Sequence, residues 1–231
     1  DPIFNRIVVT NASRIGRLGI EGDLDLQVRE NLSLGRAVVS DDARLAHIGP
    51  AGTLVYDELQ IGQTLEVTGA GDWIGRQADV QGDARFDVGS ADLGTLQSRT
   101  GHLVLDATRA FDADELHSLQ GRVDLTSGSA DLGNVTAALT LDAHVMEGPL
   151  RILTGRSGGN LTLTGEAGSH ADIHFGVPAD PADPDVLTAS HLWSGQNMLV
   201  QTDGDIFGGN AEAVGEVRLI GRNISLGRAQ S

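Results

Sequence analysis

The sequence predicts an all-β fold, a parallel β-solenoid wound from coils of 19–20 residues. Short runs that alternate apolar and polar residues recur at that spacing, and glycines mark many of the turns between them. Aromatic residues make up only 3% of the chain. A globular core of this size usually draws volume from Phe, Tyr and Trp. Here it must come from Leu, Val, Ile and Ala, small aliphatics that suit a core repeated along an axis.

The pattern opens with Gly22-Asp23-Leu24-Asp25-Leu26 and Asn31-Leu32-Ser33-Leu34-Gly35-Arg36-Ala37. It continues through Gly52-Thr53-Leu54-Val55-Tyr56 and Thr64-Leu65-Glu66-Val67. Its cleanest copies are Gly82-Asp83-Ala84-Arg85-Phe86-Asp87-Val88, Gly101-His102-Leu103-Val104-Leu105-Asp106-Ala107 and Gly121-Arg122-Val123-Asp124-Leu125-Thr126-Ser127. Inside these units Gly89-Ser90-Ala91-Asp92-Leu93-Gly94 recurs 39 residues later as Gly128-Ser129-Ala130-Asp131-Leu132-Gly133. Residues 111–119 come nearest to a helix, but they stand where neighbouring units have a strand and a turn. They read as the same coil with one residue inserted. Looser copies follow at Ala137-Ala138-Leu139-Thr140-Leu141-Asp142-Ala143, Gly159-Asn160-Leu161-Thr162-Leu163 and Gly215-Glu216-Val217-Arg218-Leu219. Asn223-Ile224-Ser225-Leu226-Gly227-Arg228-Ala229 then echoes the second segment.

In such coils Leu, Val and Ala face inward while Asp, Arg and Thr face solvent, and each coil completes its core by stacking on the next. At ~4.8 Å per coil, about a dozen coils make a rod roughly 55 Å long. Leucine-rich repeats share the length but need a Leu-x-x-Leu-x-Leu-x-x-Asn run and helices, which are missing. The pattern breaks once, at a Pro-rich insertion over residues 176–187. Pro178, Pro181 and Pro184 cannot donate to a ladder, so this stretch must leave the sheet. The 37 residues from Leu161 to Met198 are close to two periods, so the loop is expected inside one lengthened turn of the regular count. The whole of 1–231 is expected as one β-helical segment. The opening Asp1-Pro2-Ile3-Phe4 shows no signal-peptide regions, and the terminal coils look like interior ones. The chain therefore reads as part of a longer rod.

The unit Gly-x-Leu-x-Leu-x-Ala followed by Ala-x-Leu-Gly-x-Leu, clearest over 82–143, resembles the shaft repeats of filamentous haemagglutinin-type exoproteins. These include adhesins and the stalks of contact-dependent inhibition toxins. The resemblance implies a right-handed β-helix at or beyond a bacterial cell surface, secreted by a two-partner system through an outer-membrane transporter. It also implies a surface receptor on a host or neighbouring cell and a monomeric chain. Some adhesins of this kind are glucosylated at Asn-x-Ser/Thr. Five such sequons occur here, at Asn11, Asn31, Asn134, Asn160 and Asn223. The ordinary explanation is that Asn suits solenoid turns and Thr suits strands.

Charge narrows the partners. The chain carries 16 basic and 32 acidic residues and no Cys, and every basic residue is Arg. That excludes disulfides, thiolate metal sites, a phosphate loop and a Schiff-base lysine. Net charge −16 argues against nucleic acid, anionic membranes and sulfated sugars. No apolar stretch approaches 18 residues, so no membrane insertion is expected. No catalytic residue and no cofactor is assigned.

Several motifs have plainer readings. Gly155-Arg156-Ser157-Gly158-Gly159 mimics a nucleophile elbow, but strand-like residues follow it, so a turn is expected. Gly69-Ala70-Gly71-Asp72-Trp73-Ile74-Gly75 misses the dinucleotide fingerprint. His170 and His174, four apart, are expected on one strand face, ~13 Å from each other and too far to share a metal. Asp87 and Asp106 hold the same place in adjacent units, with Thr126 and then Asp142 next in line. They are weak calcium candidates; the plainer reading is a solvated acidic face. Pro178, Asp180, Pro181, Asp183, Pro184 and Asp185 form the candidate recognition loop, since projections on rigid scaffolds carry binding residues. Trp193 and His191 close by suit a contact surface or the core.

The function expected is a non-enzymatic shaft that extends an adhesive or toxic tip. Two alternatives stand beside it. An envelope lipid-transfer protein needs apolar residues on both strand faces, and a β-helical carbohydrate-active enzyme needs carboxylates grouped with aromatic sugar platforms.

Overall fold

In a computed structural model, residues 4–50, 52–176 and 191–231 are described. The candidate loop residues Pro178, Asp180, Pro181, Asp183, Pro184 and Asp185 lie outside them. The described residues form 11 stacked coils of parallel strands and no helix. The first three coils pair β1 (Phe4–Val9) with β2 (Ser13–Ile20), β3 (Asp23–Val28) with β4 (Leu32–Val39), and β5 (Ala43–His47) with β6 (Thr53–Ile61). Four middle coils are each one long bent strand: β7 (Leu65–Val80), β8 (Ala84–Ser98), β9 (Leu103–Ser118) and β10 (Val123–Ala137). Then come β11 (Leu141–Val145) with β12 (Leu150–Ser157), and β13 (Leu161–Gly165) with β14 (Ile173–Phe175) and β15 (His191–Ser194). The last coils are β16 (Met198–Gln201) with β17 (Ile206–Ala213), and β18 (Val217–Ile220) with β19 (Ile224–Gln230).

Alternation sets the inside. On β8 to β10, Ala84, Leu103 and Val123 stack in one buried row and Phe86, Leu105 and Leu125 in the next. Four of the buried aromatics are accommodated by small residues one coil on. Trp73 stacks on Ala91, and Phe111 lies between Ala91 and Ala130. Tyr56 is followed by Gly75, where an added Cβ would fall 2.0 Å from the phenol ring. Phe175 and Gly208 repeat the arrangement at 2.1 Å. At these four places large is matched with small along the row, while Phe86 lies between Val67 and Leu105.

Side chains also bind coil to coil. Ser118 is fully buried; its hydroxyl donates to Gly101 O (2.8 Å) and accepts from Gly121 N–H (3.0 Å). Ser98 does the same with Gly82 and Gly101. At the same turn, carboxylates and amides accept the backbone N–H of the following coil: Asp42 from Thr64 (2.9 Å), Asp83 from His102 (2.7 Å), Asn160 from Asn197 (3.1 Å) and Asn197 from Glu216 (2.9 Å). Turn N–H groups that would otherwise lack partners are satisfied this way.

Three expectations need correction. The 37 residues from Leu161 to Met198 make one coil rather than two, because Leu161 pairs directly with Met198. The count is therefore 11 and the rod roughly 50 Å long at ~4.8 Å per coil. Asp142 does not follow Thr126; it pairs with Asp124, one row over, while His144 pairs with Thr126. His170 and His174 do not share a strand. His170 sits in a turn with φ 54°, and only His174 lies on β14. By contrast, the coil that holds 111–119 does carry one inserted residue, placed just ahead of that stretch between Ala107 and Phe111, where the pairing of β8 with β9 shifts by one.

Candidate functional site

The solvent side of β8, β9 and β10 carries a row of acids. Inward Ala91 and Leu93 force Asp92 outward between them; Phe111 and Ala113 do so for Asp112, and Ala130 and Leu132 for Asp131. Register stacks these three carboxylates, then Arg151, His174 and Phe207 on the next three coils. His174 stacks on Phe207, with centroids 5.1 Å apart and planes inclined by 24°, and Ser225 follows on the last coil.

Beside the row runs a groove of about 660 Å³, lined by Asp92, Asp112, Asp114, Asp131, Arg151 and His174 among others. A second hollow of about 500 Å³ continues it toward the amino-terminal coils and shares Asp92 and Asp114. Arg76 and Asp57 lie in that extension. Both volumes fall in the range of small-ligand sites, ~300–1,000 Å³.

The electrostatics are one-sided. Some acids elsewhere on the rod are answered by arginines, as in Arg6–Asp25, Arg36–Glu58, Arg44–Glu66, Arg122–Asp124 and Arg222–Asp205, while others such as Asp87 and Asp106 are not, among the described residues. Among the described residues, none of Asp92, Asp112, Asp114 and Asp131 makes an ion pair. Burial raises the pKa of Asp112, and the charges of Asp131 and Asp92 raise it further, partly offset by the Asp131 backbone N–H. A proton shared along this row, or a cationic ligand, would relieve the repulsion.

Asp87 and Asp106 do stack, facing each other across β8 and β9. Burial raises the pKa of Asp106, Arg85 lowers it and Asp87 raises it. No group of three or more potential metal ligands occurs among the described residues. Ser157 of the elbow-like motif points inward, fully buried, and donates to Gly159 O at 3.0 Å, which is a turn contact. Trp193 faces outward under Arg156, whose guanidinium lies 4.8 Å from the ring centroid. Sequon Asn31 accepts the Thr53 N–H at 2.9 Å and Asn134 accepts the Thr154 hydroxyl at 2.7 Å, so both serve the stacking.

The Asp92–Asp112–Asp131 row is absent from the sequence reading. Its signal was legible in the duplicated Ser-Ala-Asp-Leu-Gly at 90–94 and 129–133. Two periods separate those copies, and Asp112 fills the coil between them.

The chain matches no protein-family model, no curated protein and no solved structure at a significant level.

Proposed function

We propose that this chain is a non-enzymatic shaft segment of a large secreted bacterial surface exoprotein of the filamentous haemagglutinin type. Its coils act as a rigid spacer that carries a receptor-binding or toxic tip away from the cell. An outer-membrane transporter is its partner during secretion, and a receptor on a host or neighbouring cell is the partner of the tip. The observation that carries the reading is the stack itself: the described residues form 11 coils of parallel strands, each paired with the last, and the register shifts within a coil without breaking the pairing. Such a stack transmits length and stiffness, which is what a spacer must supply. Absence of Cys is compatible with export through a transporter as an unpaired chain. The outward rows are mainly charged and polar, and the inner rows are filled, which weighs against a lipid-carrying groove.

The test is an in-register excision in the parent exoprotein. Removing residues 24–64 joins Asp23 to Leu65, which occupies the row of Leu24, and takes out two whole coils. The spacer reading expects secretion and cell attachment to persist with the tip drawn in by ~10 Å, two coil steps. Loss of attachment by a variant that is secreted, folded and surface-exposed would contradict it.

A further inference from the structure

We infer that Thr164 and Gln201 are the two ends of a self-made ester cross-link, formed by attack of the Thr164 hydroxyl on the Gln201 side-chain amide with loss of ammonia. His144 is the base, and Glu166 holds it in position. The link goes beyond the spacer role and does not depend on it.

Alternation and register bring the residues together. Inward Ala143 and Val145 turn His144 outward on β11, inward Leu163 does so for Thr164 on β13, and inward Val200 and Thr202 do so for Gln201 on β16. Pairing then sets His144, Thr164 and Gln201 in one row on three consecutive coils, one step of ~4.8 Å from each to the next. His144 Nε2 lies 3.1 Å from Glu166 Oε2, and Nδ1 lies 2.9 Å from Thr164 Oγ1. A carboxylate can only accept, so in the neutral ring Nε2 carries the proton and the bare Nδ1 accepts from the Thr164 hydroxyl. Acid, imidazole and hydroxyl in that order make an activated nucleophile. Glu166 is itself fixed: its N–H donates to Val145 O at 2.8 Å, and its carbonyl accepts the Ser169 N–H at 3.1 Å and hydroxyl at 2.7 Å. On the other flank of Thr164, the Gln201 amide makes no hydrogen bond among the described residues, so it is free to turn its carbonyl carbon toward Oγ1.

The step balances without a cofactor. Thr164 Oγ1 bonds to Gln201 Cδ while His144 Nδ1 takes the hydroxyl proton. The tetrahedral intermediate expels the amide nitrogen, which leaves as ammonia with that proton, so a C–N bond breaks and a C–O bond replaces it. The chain reacts once with itself, and holding both groups in one row can supply effective concentrations of ~10⁵–10⁸ M. With no Cys and no Lys, neither a disulfide nor a lysine isopeptide can tie the coils. The ester joins β13 to β16 at the coil whose other strands, β14 and β15, are only 3 and 4 residues long.

The experiment is time-resolved intact-mass spectrometry of the whole chain, with peptide mapping after cleavage at acidic residues. The chain should come to weigh one ammonia less than its sequence. Fragments holding Thr164 and Gln201 should stay joined until hydroxylamine opens the ester. Thr164→Ser should still link. Thr164→Val, Gln201→Leu and His144→Gln should each keep the full mass with an unchanged circular dichroism spectrum. Glu166→Gln should slow the loss of ammonia with the spectrum unchanged. Thr162→Val, one row over, should link as before. An unchanged mass in the folded unsubstituted chain, hydrolysis of the Gln201 amide in place of the link, ammonia lost at other residues, or a link that survives Thr164→Val or His144→Gln would each overturn the assignment.

Discussion

Ser118 shows how a single polar atom holds two coils. Its buried hydroxyl serves Gly101 O and Gly121 N–H at once. Ser118→Ala should strand both groups and cost ~1–3 kcal/mol. Thr126→Ala, on the outward side of β10, should cost under ~0.5 kcal/mol. Leu125 is 2% exposed, and Leu125→Ala should cost ~2–5 kcal/mol through lost contacts and a residual cavity. Denaturant melts of the three variants check the order; equal midpoints at 125 and 126 would mean the inward row is misassigned.

At the scale of the element, the coil is the unit that can be removed. Excising residues 103–122 joins His102 to Val123, which occupies the row of Leu103, so the stack should refold one coil shorter. Deleting Val104 alone should be far worse, because a one-residue slip turns the rest of that strand inside out. Far-ultraviolet circular dichroism and thermal melting distinguish the two: the 20-residue excision should retain a cooperative transition and the single deletion should lose it. The same period-2 logic explains what the sequence revealed and what it hid. Leu103, Leu105, Val123 and Leu125 were legible as inward because alternation is a one-residue property. Asp142 was placed beside Thr126 because a shift of two residues leaves alternation intact, and only the Leu141–Val123 pairing exposes the slip. Counting residues also failed at 161–198, where one coil with an insertion is as long as two coils without one. The acidic row was hidden for a related reason. Its members come from a duplicated motif and from an unlike coil between the copies, and only lateral register sets them in line.

For the whole molecule, surplus negative charge makes stability depend on acid. Burial raises the pKa of Asp106, Asp112 and Asp124 above the ordinary value of 3.8. A carboxyl with a raised folded pKa binds its proton more tightly when folded. It therefore favours the folded state at low pH, and the gain is lost as pH rises through the folded pKa. Asp205 runs the other way: the hydrogen bond from Arg222 holds its pKa down, so its contribution fades as pH falls. With three groups against one, the melting temperature should rise between pH 7 and about pH 4.5. Asp112→Asn should remove part of the rise. A melting temperature that falls over this interval would show that the acidic rows are better solvated than their burial indicates.

The lateral stack underlies the whole molecule, and one distance measures it. Thr68, Asp87, Asp106, Thr126, His144 and Thr164 form a single outward row over six consecutive coils. The absence of native Cys allows spin labels at Thr68→Cys and Thr164→Cys without further changes. Pulsed electron–electron resonance should give one narrow distribution near ~24 Å, five steps of ~4.8 Å. A broad distribution, or a centre displaced by more than one coil step, would contradict the register on which the shaft, the groove and every substitution above depend.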